Sequence, residues 1–155
     1  MSKSVNRVKA ALQAAGITPD LREPGEARTA AMAAEAVGCA VDQIAKSIIF
    51  RGETSGHVVL FITAGGNRVC AQKASALAGE PLGKADAALI RAETGFAIGG
   101  VAPLGHTAPV QSFLDPRLME FDTVWAAAGT PRHVFAIAPP DLHRVTGATL
   151  GDFVE

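Results

Sequence analysis

Apolar positions near the start of the chain recur every three or four residues, a spacing that is typical of an amphipathic helix. They are Val5, Val8, Ala11 and Leu12. Gly16 ends this pattern, and residues 17–24 are expected to be extended because they close on a Pro-Gly turn. Farther along, Thr29 is a favourable N-cap for an alanine-rich helix that ends at Gly38.

The middle of the chain contains two β-rich runs. A short helical turn over residues 41–45 leads into the first run at 47–50, and a strongly apolar segment follows at 57–63. Because the second run is apolar at nearly every position, we expect a strand that is buried on both faces. Two glycines lie between the runs, so the pattern predicts a β-hairpin. A Gly-Gly-Asn turn closes the second strand at 64–67.

The remaining residues mix short helices and short strands around an irregular, glycine-rich stretch at 99–106. Helices are predicted at 73–78 and 86–93, strands at 110–114, 123–127 and 133–138, and a last helix that Asp141 caps and Gly147 ends. No regular βαβ rhythm links these elements. The predicted fold class is therefore α+β, with a mixed, largely antiparallel sheet surrounded by helices. No linker or repeat interrupts the chain, and residues 1–155 are interpreted as a single domain.

The composition narrows the function classes. Of the 155 residues, 48% are hydrophobic and 19% are charged, which is enough for a buried core without a disulfide or a metal. The formal net charge of −1 argues against a protein that grips a long nucleic acid backbone, but it permits binding of a short single-stranded end. The chain shows neither a secretory signal nor an apolar run long enough for a membrane span, so the expected location is the cytoplasm, with no membrane partner.

The two cysteines and four histidines lack the spacing of a metal site. Cys39 and Cys70 belong to no Cys-x-x-Cys pair, and no two histidines follow the spacing of metal ligands. The expected metal and cofactor content is therefore none. Both thiols are interpreted as small buried hydrophobes in a reducing compartment. Cys70 has no visible partner that would make it a nucleophile.

A glycine-rich loop is the first candidate for chemistry. The segment from Gly99 to His106 contains three glycines and a proline, which excludes a helix or a central strand. Gly99, Gly100 and Gly105 would let backbone N–H groups approach a ligand, and Pro103 would fix their direction. Such a loop can donate hydrogen bonds to a carbonyl or phosphate oxygen. The alternative is an ordinary turn, since a glycine-rich loop alone is a weak signal.

Three charged or titratable side chains each allow two interpretations. Lys46 interrupts an apolar stretch that enters a strand, so it is either solvated at the strand end or held in a cleft as a clamp for a carbonyl. Arg68 follows the glycine turn and either meets a phosphate or is a solvated turn residue. His106 is either a general base or a surface residue.

The order of these segments resembles that of a known family. Lys46 lies in the run Ile-Ala-Lys-Ser-Ile-Ile-Phe, which is followed by an apolar strand and a Gly-Gly-Asn-Arg-Val turn. The chain continues with Thr-Gly-Phe at 94–96, Gly-Gly-Val-Ala-Pro-Leu-Gly-His at 99–106, Ala-Gly-Thr-Pro at 128–131 and Asp-Leu at 141–142. From about Val5 to Leu150, the sequence resembles the YbaK / prolyl-tRNA synthetase-associated domain family of aminoacyl-tRNA deacylases.

The resemblance implies a single α+β domain that hydrolyses the ester between a wrong amino acid and the 3′-terminal adenosine of tRNA. It implies that neither a metal nor an organic cofactor is used. Free-standing members act in trans, often on the tRNA for proline. The implied partners are the 3′ acceptor end of aminoacyl-tRNA and, as a second candidate, an aminoacyl-tRNA synthetase.

The same resemblance implies roles for individual residues. The family's lysine matches Lys46 and its glycine loop matches residues 99–103, so Lys46 and Gly100 are the expected catalytic residues. The expected substrate-binding residues are Ser47, Arg68, Gly99, Val101, Ala102, Pro103, Gly105, His106 and Gly129. None of these residues is expected to bind a metal.

Two positions depart from the family pattern. Cysteine-specific members carry a serine just ahead of the late glycine turn, where this chain has Ala127 and Ala128. Alanine-specific members carry an asparagine after the lysine, where this chain has Ser47. Both departures leave the edited amino acid open. Two other functions compete with editing: a non-catalytic module that binds tRNA or a synthetase, and a hydrolase of a small ester.

Overall fold

A mixed β-sheet forms the centre of the computed structural model, which describes residues 2–155. Its strands are β1 (Asp20–Arg22), β2 (Ile44–Gly52), β3 (Val58–Ala64), β4 (Leu82–Lys84), β5 (Gln111–Leu114), β6 (Val124–Ala127), β7 (Val134–Ile137) and β8 (Thr149–Leu150). The helices are α1 (Lys3–Ala14), α2 (Ala30–Val37), α3 (Ala71–Ala78), α4 (Ala87–Thr94) and α5 (Pro139–Thr146), and short 3-10 segments cover Val41–Gln43 and Pro116–Glu120. The predicted single-domain α+β class is confirmed.

The strands follow the order β1-β7-β6-β2-β3-β5-β8, and β4 pairs with the end of β2. The pairs β1–β7, β7–β6, β2–β3 and β2–β4 are antiparallel, whereas β6–β2, β3–β5 and β5–β8 are parallel. The β2–β3 hairpin runs in continuous register from Ala45 opposite Ala64 to Arg51 opposite Val58. The hairpin predicted from the sequence is therefore the centre of the sheet.

Helices cover both faces of this sheet. On one face, α1, α4 and α5 pack through Leu12, Ile90 and Leu142 into the largest core cluster. On the other face, α3 covers a group of aromatic rings in which Phe61 stacks on Phe113 with 5.2 Å between ring centroids. α2 packs through Ala34 against Ile44 and Trp125. Every residue of β3 is buried, as its apolar pattern predicted. No helix within residues 2–155 is both long and apolar enough to cross a bilayer.

Local capping determines where α2 begins and ends. The Thr29 hydroxyl accepts a hydrogen bond from the amide of Met32 at 3.1 Å. Gly38 ends the helix with a φ of +77°, a left-handed conformation that a residue without Cβ adopts at little cost. Both caps were predicted from the sequence and are confirmed.

Other boundaries differ from the sequence prediction. β2 already begins at Ile44, whereas a helical turn was predicted through residue 45. The last helix begins at Pro139 instead of Asp141, because a proline in the first turn has a suitable φ and needs no N–H there. The short strands β4 and β8 were not predicted. They have three and two residues and are held by pairing with β2 and β5, so neither carries a pattern of its own.

Candidate functional site

A cleft opens where β2 lacks a strand neighbour on one side. β6 pairs only with Ile44 and Ala45, and β4 pairs only with residues 50–52. Between these pairings, residues 46–49 have β3 on one side and no strand of the described chain on the other. This gap lies in the wall of a cavity of about 820 Å³, which is large enough for a nucleotide-sized ligand.

The cavity walls combine apolar side chains with positive charge. Apolar contacts come from Ile44, Ile48, Ile49, Ile90, Val101, Val134 and Trp125, the one tryptophan in the sequence. Arg28, Lys46 and Lys84 add cationic groups, and no carboxylate side chain among residues 2–155 lines the cavity. This combination favours a ligand that carries negative charge next to an apolar group.

Lys46 lies half-buried in the cavity wall. Its Nζ donates a hydrogen bond to the carbonyl oxygen of Gly65 at 3.2 Å. Burial lowers the pKa of the Lys46 ammonium and the nearby charge of Arg68 lowers it further, while the carboxylates of Asp42 and Asp115 act in the opposite direction. An ammonium group has three donors, so Lys46 can bind a ligand while it keeps its contact with the backbone.

The turn that holds Lys46 is fixed by two carboxylates. Asp115 is 2% exposed and accepts a hydrogen bond from the side chain of Asn67 at 2.9 Å. Asp42 accepts one from the amide of Gly66 at 2.8 Å. Both bonds hold the part of the turn that directly follows the Gly65 carbonyl, so polar contacts within this turn set the position of the ammonium.

The glycine-rich loop supplies another part of the wall. Ile98, Gly99 and Val101 line the cavity, and 61% of the surface of Ile98 is exposed. Gly99 has a φ of +91°, which favours glycine. The hydroxyl of Ser47 donates a hydrogen bond to the carbonyl of Val101 at 2.9 Å. This bond ties the loop to the strand that carries Lys46.

Gly100 is buried and does not line the cavity. Its amide donates a hydrogen bond to the carbonyl of Ala97 at 3.1 Å. Its φ is not positive, and an added Cβ would lie 2.7 Å from the Cα of Thr130. The absence of a side chain at Gly100 therefore allows close packing of the loop against the turn that contains Thr130.

Six of the expected binding residues lie outside the cavity wall: Arg68, Ala102, Pro103, Gly105, His106 and Gly129. Ala102 and Pro103 are in the loop itself and are buried. Gly105 and Gly129 pack against α1, where an added Cβ would lie 3.4 Å from the carbonyl oxygen of Arg7 and 2.8 Å from the main chain of Ser4, respectively. The structure thus brings Lys46, Ser47, Gly99 and Val101 together and places the other residues around them.

His106 is partly buried against the inner side of the loop. Its Nε2 lies 2.8 Å from the carbonyl oxygen of Ala102, and its ring meets Phe96 edge-on. Burial lowers the pKa of His106; the hydrogen bond with Ala102 partly opposes this change, and the charge of Arg7 adds to it. The ring therefore favours the neutral form and bonds to the loop itself.

The lowered pKa of His106 predicts a pH dependence of stability. Below the ordinary histidine pKa of 6.5, the unfolded chain binds this proton more readily than the folded one, so stability is lost as the pH falls towards the folded pKa. We expect the free energy of unfolding to decrease less between pH 7 and about 5 in His106→Gln than in the wild type. Urea unfolding at several pH values measures this difference.

His57 provides the control for this experiment. It is exposed, and its hydrogen bond with Glu93 raises its pKa. Its contribution to stability is present at low pH and is lost as the pH rises through the folded pKa. His57→Gln should therefore steepen the decrease of the free energy of unfolding towards acid pH. Equal slopes for His106→Gln and the wild type would contradict the assignment of a lowered pKa to His106.

The cavity also contains residues that were not expected from the sequence. Thr130 and His133 both line it, and the Thr130 hydroxyl lies 2.6 Å from Nδ1 of His133. Nε2 of the same ring lies 3.4 Å from a carboxylate oxygen of Glu23. The histidine can therefore orient a hydroxyl at the cavity wall. The one local signal was the spacing of Thr130 and His133 in a single tight turn; nothing local marks Trp125.

Several known proteins resemble this chain in sequence and in structure. A family model for the aminoacyl-tRNA editing domain matches residues 24–145, a span that includes Lys46 and the glycine-rich loop. The Bacillus subtilis (strain 168) protein YwhH, itself uncharacterized, is 32% identical over 114 residues, which cover 74% of this chain and 72% of that protein. The crystal structure of "a putative trans-editing enzyme for prolyl tRNA synthetase" is 44% identical, covers 100% of this chain and 99% of its own, and superposes with a TM-score of 0.92. The hypothetical protein APE2540 is 27% identical with a TM-score of 0.87, over 96% of this chain and 99% of that one. By sequence and by structure, this chain belongs to the aminoacyl-tRNA editing domain family.

Proposed function

We propose that this protein hydrolyses the ester bond of mischarged aminoacyl-tRNA in trans, on tRNA for proline that carries a small wrong amino acid. The observation that carries the proposal is one cavity wall in which Lys46 and the glycine-rich loop are joined through the Ser47–Val101 hydrogen bond. The similarity to the protein described as "a putative trans-editing enzyme for prolyl tRNA synthetase" supports the choice of tRNA.

The chemistry of the cavity wall supports binding of the acceptor end of aminoacyl-tRNA. That end presents a phosphate, a ribose and an amino-acid side chain within the reach of one nucleotide. Cationic side chains at Arg28, Lys46 and Lys84 suit the phosphate, and the apolar walls suit a small side chain. A few phosphate contacts are enough for this mode of binding, which agrees with a chain of net charge −1.

The proposed reaction needs only modest help from the protein, because an aminoacyl ester is already activated. Water attacks the ester carbonyl carbon directly, or the adjacent ribose hydroxyl of the substrate attacks first and forms the isomeric ester, which water then cleaves. On either route, a proton from the attacking water ends on the tRNA oxygen that leaves, and the free amino acid is released. The carbonyl oxygen gains negative charge before the bond to the tRNA oxygen breaks. Backbone N–H groups of the loop at Gly99 and Val101 are the candidate donors to that oxygen, and Lys46 would hold the ester or the 3′ phosphate. Preorganised donors of this kind typically accelerate the reaction about 10²- to 10³-fold.

A panel of mischarged tRNAs tests the proposal. Single-turnover release of each amino acid is measured from tRNA for proline and from other tRNAs. We expect rapid release of one or a few small amino acids and little release of proline. The rate at subsaturating protein should fall as salt rises from about 50 to 200 mM, because phosphate contacts are lost, whereas hydrolysis of a small neutral ester should not.

Two other outcomes would favour the competing functions. Binding of tRNA without release of any amino acid would indicate a non-catalytic module. Faster, salt-independent hydrolysis of small esters would indicate a general esterase.

In the same assay, activity should survive a chelator and the change Cys70→Ala. An activity that EDTA abolishes and zinc restores would contradict a metal-free reaction.

A further inference from the structure

We infer that Arg7 of α1 is a positioning residue that holds the glycine-rich loop in its active geometry, an inference that rests on the function proposed above. The guanidinium donates two hydrogen bonds to backbone carbonyls, one at the end of α4 just before the loop and one inside the loop. Nε bonds to Gly105 at 2.8 Å, and Nη2 bonds to Gly95 at 2.7 Å. One side chain therefore fixes the separation of two points that lie ten residues apart in sequence.

The surroundings of Arg7 make this bridge stiff. Its guanidinium carbon lies 4.3 Å from the centroid of the Phe96 ring, and that ring is fully buried. Both accepting residues are left-handed glycines, with φ of +81° at Gly95 and +79° at Gly105. An added Cβ at Gly95 would lie 2.7 Å from Nη2 of Arg7, so the glycine also makes room for the contact. The planar guanidinium has donors that point in two directions, so it can make both hydrogen bonds while it stacks on the ring. The compact ammonium of a lysine cannot do all of this.

Arg7 acts on the cavity only through the loop. It does not line the cavity, whereas Gly99 and Val101, between its two acceptors in sequence, do. The same helix supports the neighbouring turn, because Gly129 packs on the main chain of Ser4. Both segments that meet at the Gly100–Thr130 contact thus rest on α1. Loss of the Arg7 bridge should loosen the wall of the cavity without removing any group that touches the substrate.

The test compares three arginine variants in single-turnover deacylation. Arg7→Met keeps an apolar stem and removes the donors, and we expect its rate constant at saturating protein to fall about 10- to 30-fold with less than about a twofold change in the half-saturating concentration. Arg7→Lys should recover part of the rate. The matched control is Arg144→Met, which removes a guanidinium that bonds to the carbonyl of Ala15 just after α1 at 3.2 Å, far from the loop in sequence. It should react like the wild type.

A second measurement separates this inference from the proposed function. Amide hydrogen exchange of the free protein should be faster over residues 95–106 in Arg7→Met and unchanged there in Arg144→Met. If the wild type releases no amino acid but exchange changes as expected, the proposed function fails and the Arg7 bridge stands. Unchanged exchange, a rate constant equal to that of the wild type, or an effect on half-saturation alone would overturn the inference. If Arg7→Met does not fold, the hydrogen exchange and single-turnover rate of Arg7→Lys are compared with those of the wild type and Arg144→Met instead.

Discussion

Lys46→Ala is expected to lower the single-turnover rate of deacylation at least ~100-fold, equivalent to about 2.7 kcal/mol of transition-state stabilisation. Lys46 brings a half-buried ammonium to the cavity wall, held by one hydrogen bond to Gly65. A charged contact in a partly desolvated site is stronger than the same contact in water, which is why its loss should dominate the kinetics. The fold should survive, since the change leaves the carboxylates that fix the neighbouring turn in place.

The control for Lys46 is another lysine with an ion pair of its own. Lys73 is exposed, lies outside the cavity and pairs with Asp152 at 3.0 Å, so Lys73→Ala should keep the wild-type rate. Lys46→Arg keeps a charge but alters its shape, and an intermediate rate would show that geometry contributes as well. Near wild-type turnover of Lys46→Ala at both saturating and subsaturating concentrations would remove Lys46 from the site.

Gly100→Ala is expected to lower the single-turnover rate constant of the chemical step about 10²- to 10³-fold, the usual contribution of preorganised backbone donors. The added Cβ would lie 2.7 Å from Cα of Thr130, a main-chain atom that cannot rotate away. The loop must then move off the turn, and its N–H groups at Gly99 and Val101 move with it. Some loss of stability is also expected, because the contact lies in a buried region.

A glycine elsewhere in the chain distinguishes these two effects. Gly79 ends α3 with a φ of +77°, and an added Cβ there would have no atom within 4 Å, so Gly79→Ala should destabilise the protein by about 1 kcal/mol through backbone strain alone. Its rate in the folded fraction should stay unchanged.

Pro103→Ala should have a milder effect on the rate than Gly100→Ala, because it loosens the loop without a clash. If Gly100→Ala shows only a lower melting temperature, with wild-type single-turnover rates, the loop does not belong to the active site.

The sequence predicted the elements whose boundaries depend on local chemistry. The caps of α2 are an example, because a threonine hydroxyl and a left-handed glycine act within one turn of the helix. The start of α5 shows the limit of this approach. Asp141 is a good local cap, but Pro139 and Pro140 already fix helical φ values two residues earlier. β4 and β8 depend entirely on pairing with distant strands, and no window of two or three residues can reveal that.

The candidate site was predictable only in part for the same reason. Lys46 was found because a charge interrupts an apolar run, and the loop because glycine and proline exclude regular structure. The cavity itself arises where β4 and β6 leave part of β2 uncovered, a result of strand pairings between distant segments. Pairing of β6 with β2 also brings Trp125 to the cavity, together with Thr130 and His133 in the turn between β6 and β7. Apart from the close spacing of Thr130 and His133, nothing in the neighbouring sequence marks these residues.

Trp125 gives the chain a built-in optical reporter. It is the one tryptophan in a sequence without tyrosine, so its indole dominates the ultraviolet fluorescence of the protein. The residue is only 8% exposed and lies in the cavity wall, and the guanidinium carbon of Arg22 lies 5.1 Å from the centroid of its ring. A ligand that enters the cavity changes the polarity around this single emitter. Occupancy is therefore accessible to titration and stopped-flow measurement in the unlabelled protein, without a dye or an engineered probe.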